Sequence, residues 1–152
     1  MPFPKIGVPV RIQIPAIKVD ATMQTVGLTK AGDMDVPANI AHVGWYKLSA
    51  RPGELGTAVL GGHLNGKQGQ AGVFIALNAM KAGDTLLVTD DGGLTRTFKV
   101  QKVRDYNYDD HPKEVFNSGP GSHMNLITCT GSWDTEIQKF SKRRVVFTTL
   151  VE

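Results

Sequence analysis

Short apolar segments separated by turn-forming residues recur along this chain, and they restrict its fold more than any other feature. Between residues 8 and 14, valine and isoleucine alternate with proline, arginine and glutamine, which is the pattern of a strand with one buried face. The chain contains 17 glycines and 8 prolines among its 152 residues, and both residue types favour turns. Many short strands joined by turns are therefore expected.

About eight segments of the chain fit this description. Pro15 should end the first strand, and a second strand begins shortly after it. TAVLGGH is a continuous apolar run that predicts a buried strand, and TLLVTD followed by DGG is typical of a hairpin. The predicted strands with both ends assigned lie at residues 8–14, 42–46, 57–63, 85–90, 124–129 and 143–151. Another strand starts at Ile17 and Val19, and Phe98 and Val100 belong to the strand that returns from the hairpin.

The segment GVFIALNAMKAGD, at residues 72–84, is predicted to form a short helix. Phe74, Leu77 and Met80 recur at every third residue, so they would lie on one face of that helix. Gly83 is a typical residue for the end of a helix.

Strands dominate the pattern, because only one further helical turn is expected, near Glu114 in the long connection at residues 105–121. The fold class is therefore all-β, as a closed barrel or a sandwich. A chain of 152 residues is long enough to bury one hydrophobic core. We expect a single domain covering residues 1–152.

Composition and charge exclude several classes of protein. The net charge is +3, and the basic residues are scattered apart from residues 142–144, so nucleic acid is not an expected partner. No apolar run approaches the length of about 18 residues that a transmembrane helix requires. Residues 1–10 lack the layout of a signal peptide. A membrane anchor would therefore have to lie outside these residues.

Cys129 is the only cysteine of the chain, and it ends the apolar run Leu126-Ile127-Thr128. A single cysteine excludes an internal disulfide and any metal site built on several thiolates. The most common role of a lone cysteine is that of a small buried hydrophobic residue. Its neighbours must therefore indicate whether it is reactive.

A second strand ends in a reactive side chain, His63, which follows Gly61 and Gly62. Neighbouring strands of a barrel end at the same rim, and the two glycines leave room for a close approach to the backbone. A cysteine near a histidine can perform nucleophilic acyl transfer, and Arg143 at the start of the last strand could stabilise an oxyanion. The alternatives are that His63 caps a buried strand and that Arg143 is a solvated charge.

These segments resemble the sortase family, the cysteine transpeptidases of Gram-positive cell surfaces. The likeness covers nearly the whole chain: LITC matches the family's Leu-x-Thr-Cys signature, and RRVVFTTLV resembles its arginine-bearing last strand. Upstream, RIQIPAIKVDATM, VPANIAHVGWY, RPGELGTAVLGGHLNG and GVFIALNAMKAGD resemble the opening strands, the stretch leading to the histidine and the following helix. HVGWY, TCTG and the compact N-terminus are most similar to class E or class F sortases.

The resemblance implies a closed eight-stranded β-barrel and assigns roles to particular residues. Cys129 would be the nucleophile and His63 the acid and base, while an arginine would stabilise the substrate carbonyl and the oxyanion. Trp133 would line the peptide groove or pack on the barrel. Thr128 would help to position the peptide, and the full set of expected substrate-binding residues is Leu126, Thr128, Thr130 and Trp133.

Two neighbouring arginines compete for the role of the active-site arginine. Arg143 and Arg144 point to opposite faces of a strand, and Arg143 shares its face with Val145 and Phe147. The family's usual spacing of the arginine before two apolar residues favours Arg143. The side of the barrel that Phe147 occupies should decide between them.

The resemblance further implies a substrate and a location. A Leu-Pro-x-Thr-Gly-like sorting peptide would be cleaved between threonine and glycine through a thioacyl enzyme. The acceptor would be a primary amine on a peptidoglycan precursor or a pilin lysine. The protein would lie on the extracellular face of a Gram-positive cell membrane, held by an anchor outside these residues.

No cofactor is expected, because Asp109, Asp110 and Glu114 do not closely match the calcium-binding pattern of class A sortases. Three other functions remain open at this point. They are a cysteine hydrolase with the same Cys-His pair, a non-catalytic β-barrel binding module with Cys129 as filler, and a sortase-like protein that only recognises peptides.

Overall fold

Eight strands form a closed barrel in the computed structural model, which describes residues 6–66, 68–136 and 139–151. The strand order around the barrel is β1-β2-β3-β4-β7-β8-β6-β5, so the predicted eight-stranded barrel is confirmed. The strands are β1 (Pro9–Ile14), β2 (Val19–Val26), β3 (Val43–Tyr46), β4 (Gly56–Gly61), β5 (Thr85–Asp90), β6 (Thr95–Asn107), β7 (Ser122–Asp134) and β8 (Lys139–Val151).

The barrel is mixed, and its two parallel contacts determine which strand ends meet. β2 pairs with β3 and β4 pairs with β7 in parallel, whereas the remaining neighbours are antiparallel. Strands in a parallel pair end at the same side of a sheet. β4 ends shortly before His63, and the later part of β7 contains Cys129. These two segments therefore lie at one rim of the barrel.

Alternate residues of the last strands face opposite sides of the barrel wall. Val146 of β8 belongs to the main core together with Leu126 of β7. Val145 and Phe147 instead form a second apolar cluster with Val115, on the other side of the wall. This follows from the period of two along a strand. The outer surface of β7 and β8 is thus apolar and covered by the connection between β6 and β7.

The helical segments within the described residues are short, and none of them is long and apolar enough to cross a membrane. Helix α1 spans Lys113–Phe116, so the expected helical turn near Glu114 is confirmed. Two 3-10 turns cover Pro15–Ile17 and Leu77–Ala79.

The predicted helix at residues 72–84 is wrong, although its buried face is right. Phe74, Leu77 and Met80 are buried, but the N–H groups of Leu77 and Met80 each bond to the carbonyl three residues earlier. A spacing of three residues is the repeat of a 3-10 helix, whose turns are tighter than those of an α-helix. The apolar pattern therefore indicated 3-10 and other turns, not an α-helix.

The first strand departs from the expected alternation at one residue. Ile12 and Ile14 are completely buried, but Val10 is 40% exposed. The pairing of β1 with β5 changes register between Pro9 and Arg11, which indicates a bulge. A bulge adds an extra residue to one strand and reverses the face of the residues beyond it. Val10 therefore faces outward.

The predicted hairpin between β5 and β6 is confirmed, and Asp90 organises its turn. One carboxylate oxygen of Asp90 accepts hydrogen bonds from the N–H groups of Gly92 (2.9 Å) and Leu94 (3.0 Å). The other oxygen accepts from the N–H of Gly7 and from Arg96. Burial raises the pKa of Asp90, but these donors outweigh burial and leave the pKa below its ordinary value.

Candidate active site

The ends of β4 and β7 bring the segments of His63 and Cys129 side by side. Gly61 pairs with Ile127 in the parallel ladder, and the N–H of Gly62 donates to the carbonyl of Ile127 over 3.3 Å. His63 lies two residues beyond Gly61, and Cys129 lies two residues beyond Ile127. His63 and Cys129 therefore lie at equal distances along the chain from the last residue pair of this ladder.

Thr128 joins these two segments directly. Its side-chain hydroxyl donates a hydrogen bond of 2.9 Å to the carbonyl oxygen of Gly62, and the residue is only 3% exposed. The bond connects the residue before Cys129 to the residue before His63. The hydroxyl that was expected to position a peptide is therefore used inside the protein.

The antiparallel pairing of β7 with β8 places Cys129 directly opposite Arg143. On its other side, Arg143 lies directly opposite Tyr106 of β6. Residues opposite each other in an antiparallel pair share a face and are close neighbours. The backbone positions of Tyr106, Arg143 and Cys129 thus form one row across three strands, and the end of β4 with His63 follows next to Cys129.

Arg144 lies outside this row and has a different partner. It is directly opposite Thr128 on one side and Asp105 on the other. Its Nε and Nη2 atoms donate to the two carboxylate oxygens of Asp105 at 2.8 Å each. This hydrogen bonding raises the pKa of Arg144 above its ordinary value. Arg144 is therefore engaged in a structural ion pair, and Arg143 is the arginine in line with Cys129.

The guanidinium of Arg143 is oriented by its own strand. Its Nη1 atom donates to the backbone carbonyls of Phe140 and Lys142, each at 3.1 Å. A guanidinium carries five N–H donors, so these two bonds orient the group without using all of its donors.

His63 is half-buried and is held by one backbone acceptor. Its Nε2 atom lies 2.6 Å from the carbonyl oxygen of Pro37, in the connection between β2 and β3. A carbonyl only accepts hydrogen bonds, so Nε2 carries the proton. The Nδ1 atom is then the nitrogen that remains for proton exchange with other groups.

The glycines before His63 permit close packing, as expected from the sequence. A Cβ atom on Gly62 would lie 2.7 Å from the ring of Phe74, and one on Gly61 would lie 2.6 Å from the side chain of Met34. Both distances are too short for real Cβ contacts. The glycines therefore allow neighbouring side chains to reach the end of β4.

A cavity of about 760 Å³ lies over the outer face of β7 and β8, beside this row of residues. Its lining is mainly apolar and comes from β7, β8, α1 and the connection between β2 and β3. Charged groups of the lining include Asp33, Asp110, Lys113 and Lys139. The apolar part includes Met34, Val36, Val115, Phe116, Ile127 and Val145, and Tyr106 and Arg143 also line the cavity.

The residues expected to bind substrate fall into three groups. Leu126 is completely buried in the barrel core, and its side chain does not reach the outer surface of the barrel. Thr128 is buried, as described above. The side chains of Cys129, Thr130 and Trp133 lie outside the described part of the structure, so these predictions stay predictions.

Tyr106 was missed by sequence reasoning because its segment was assigned to a loop. Strand β6 continues to Asn107, into the expected connection at residues 105–121. The hydroxyl of Tyr106 donates a hydrogen bond to Glu114 of α1. Burial, together with this hydrogen bond and the charge of Glu114, raises the pKa of Tyr106 to about 12. The alternation of RTFKVQKVRDYN is the signal that could have extended the strand.

One protein family and several solved structures are similar to this chain. The family model described as "Sortase domain" matches residues 12–151. No curated protein sequence matched the chain.

Solved sortase structures share the fold. Sortase A from Corynebacterium diphtheriae is 24% identical, with a TM-score of 0.72, and the match covers 97% of this chain and 62% of that one. Sortase C-1 from Actinomyces oris is 26% identical, with a TM-score of 0.73 and coverage of 95% and 75%. Sortase A from Listeria monocytogenes is 20% identical, with a TM-score of 0.71 and coverage of 97% and 89%.

These similar structures belong to classes A and C, and the chain spans less than two thirds of the Corynebacterium protein. Class E or F is therefore not singled out by the comparisons. The family model nevertheless matches most of the sequence. The chain belongs to the sortase family.

Proposed function

We propose that this protein is a cysteine transpeptidase in which Cys129 is the nucleophile, His63 the acid and base, and Arg143 the oxyanion-stabilising group. The observation that carries the proposal is the register of two ladders. Cys129 is opposite Arg143 in the β7–β8 pair. His63 and Cys129 each lie two residues beyond the last residue pair of the β4–β7 ladder. An arginine and a histidine beside a cysteine supply the groups that acyl transfer requires.

In the first step, the thiolate of Cys129 attacks the carbonyl carbon of the threonine in a sorting peptide. An ordinary thiol has a pKa of about 8.5, so only a small fraction is ionised at neutral pH. The attack turns the carbonyl oxygen into an oxyanion. The positive charge of Arg143, with backbone amides near Thr130, stabilises that oxyanion.

In the second step, the carbon–nitrogen bond between threonine and glycine breaks. His63, as an imidazolium, donates its Nδ1 proton to the departing glycine amine, while Nε2 keeps its bond to the carbonyl of Pro37. The peptide is left as a thioester on Cys129. A primary amine then attacks the thioester, His63 accepts its proton, and the thiolate leaves as the new amide forms.

The substrate and the setting belong to the same proposal. The cavity beside Arg143 is lined mainly by apolar side chains, which suits an extended peptide with aliphatic residues such as a Leu-Pro-x-Thr-Gly motif. The acceptor is a primary amine on a peptidoglycan precursor or a pilin lysine. We propose that the protein acts on the outer surface of a Gram-positive cell. We also propose that residues 1–152 form one catalytic domain of class E or class F type.

Mass spectrometry of peptide ligation tests the proposal. The protein is incubated with a panel of Leu-Pro-x-Thr-Gly-type peptides and a glycine-based amine, and the products are compared with those of Cys129→Ala. We expect a ligated product with the peptide cut after threonine, and a covalent thioester mass on the wild type only.

The alternatives give different products. Cleavage without ligation at any amine concentration would indicate a cysteine hydrolase instead of a transpeptidase. Binding of a peptide without cleavage would indicate a recognition module. Full activity of Cys129→Ala would remove Cys129 from its role as nucleophile.

A further inference from the structure

Helix α1 forms one side of the cavity, and side chains of several barrel strands hold it. Val115 of α1 is buried against Val145 and Phe147 of β8, and Phe116 packs edge-on against Tyr46 of β3 with ring centres 6.1 Å apart. A helix of four residues has almost no stability of its own. Its place therefore depends on these contacts with the barrel.

The side of α1 that faces β6 is held by Tyr106. The Tyr106 hydroxyl donates to the carboxylate of Glu114, and Arg104 lies 3.5 Å from the same carboxylate. The bond to Tyr106 is charge-assisted and part-buried, whereas Arg104 is more than half exposed. A part-buried charge-assisted bond is stronger than an exposed ion pair. Tyr106 is therefore the main attachment of α1 on this side.

The opposite side of α1 is held by the strands that lead to the catalytic groups. The amide nitrogen of Asn125 in β7 donates to the carbonyl of Val115 (2.8 Å) and to the hydroxyl of Ser118 (2.9 Å). The N–H of Ser118 in turn donates to the hydroxyl of Thr57 in β4 over 2.9 Å. These bonds connect α1 to β4 and β7, which carry the segments of His63 and Cys129.

Tyr106 also lines the cavity and stands opposite Arg143. We infer that Tyr106 is a positioning residue that holds α1, through Glu114, as a fixed wall of the peptide groove next to Arg143. The wall is in place before the peptide arrives, so binding needs little ordering of α1. This inference rests on the proposed function, because it assigns the cavity to the sorting peptide.

Steady-state kinetics with the best peptide of the panel tests the inference. We expect Tyr106→Phe to raise KM by about three- to tenfold with kcat within about twofold, because it removes one bond that orders the binding groove. Glu114→Ala should raise KM at least as much, because it removes the same bond and also the contact with Arg104. Adding Tyr106→Phe to Glu114→Ala should then change KM little further, since the bond between the two residues is already lost. Glu114→Gln, which keeps an acceptor for the hydroxyl, should restore most of the affinity.

Tyr46→Phe is the matched control, because Tyr46 contacts α1 through its ring and that contact remains. Its KM should stay close to that of the wild type. A Tyr106→Phe variant with the same KM as the control would overturn the inference, and so would a large loss of kcat with unchanged KM.

Hydrogen exchange gives a readout that does not depend on activity. The N–H groups of Val115 and Asn117 bond to the carbonyls of Pro112 and Lys113 within this turn. Exchange at these two amides should be faster in Tyr106→Phe than in the wild type and in Tyr46→Phe. If the wild type ligates no peptide, the proposed function fails. Unchanged hydrogen exchange at these two amides in Tyr106→Phe would refute the positioning role of Tyr106, whatever the result of the ligation assay.

Discussion

Replacing Thr128 by valine should destabilise the protein, because it leaves a buried carbonyl without its partner. The hydroxyl of Thr128 is 2.9 Å from the carbonyl oxygen of Gly62, and the residue is 3% exposed. Valine has nearly the same shape, so the main change is the lost hydrogen bond. An unsatisfied buried acceptor costs about 1–3 kcal/mol in the free energy of unfolding.

The same substitution should reduce activity through geometry. The bond joins the residues just before His63 and Cys129, so its loss lets the two strand ends separate. A cost of about 2 kcal/mol corresponds to a fall in Tm of roughly 4–8 °C for a protein of this size. We expect kcat to fall as well, because small displacements between reacting groups are costly.

Thermal unfolding and ligation kinetics of Thr128→Val and Thr128→Ser measure both effects. Serine keeps the hydroxyl and loses only a methyl group, so Thr128→Ser should retain more of the stability and more of kcat. An unchanged Tm with a raised KM in Thr128→Val would refute this reasoning. It would show that the hydroxyl binds the peptide, as the sequence suggested, and does not serve the Gly62 carbonyl.

Three further predictions concern other parts of the site and fold. Arg143→Gln should lower kcat for ligation by about two orders of magnitude, as expected for a lost oxyanion donor. Arg144→Gln should mainly lower Tm. Equal kcat values for the two variants would contradict the assignment of Arg143 from the strand register. The pKa of Asp90 is lower in the folded protein than in the unfolded chain, where it is about 3.9. Ionised Asp90 therefore stabilises the protein at pH values above about 3.9, and this stabilisation is lost as the pH falls through the folded-state pKa. Urea unfolding at pH 7 and pH 3 should therefore show a smaller acid-induced loss of stability in Asp90→Asn than in the wild type. Gly62→Ala should cost about 1–3 kcal/mol by overpacking against Phe74, and a calorimetric Tm equal to that of the wild type would argue against the close contact.

The sequence by itself determined most of the strands and the likeness to one protein family. Alternating apolar residues give a strand one buried face, and turn residues end it, so the eight strands and the β5–β6 hairpin followed from local patterns. The single cysteine after an apolar run, with the histidine and arginine elsewhere, also led to the groups that we propose for acyl transfer. Their likeness to sortases was also visible in short segments of sequence.

Only the tertiary structure decided which strands pair and in which register. The parallel β4–β7 contact, and the register that puts Arg143 and not Arg144 opposite Cys129, depend on hydrogen bonds between residues far apart in the chain. Local patterns contain no information on such pairings, since a shift by one residue moves every side chain to the other face. The strand register also places Leu126 in the core. It places Tyr106, which lies in a segment that resembles a loop, opposite Arg143.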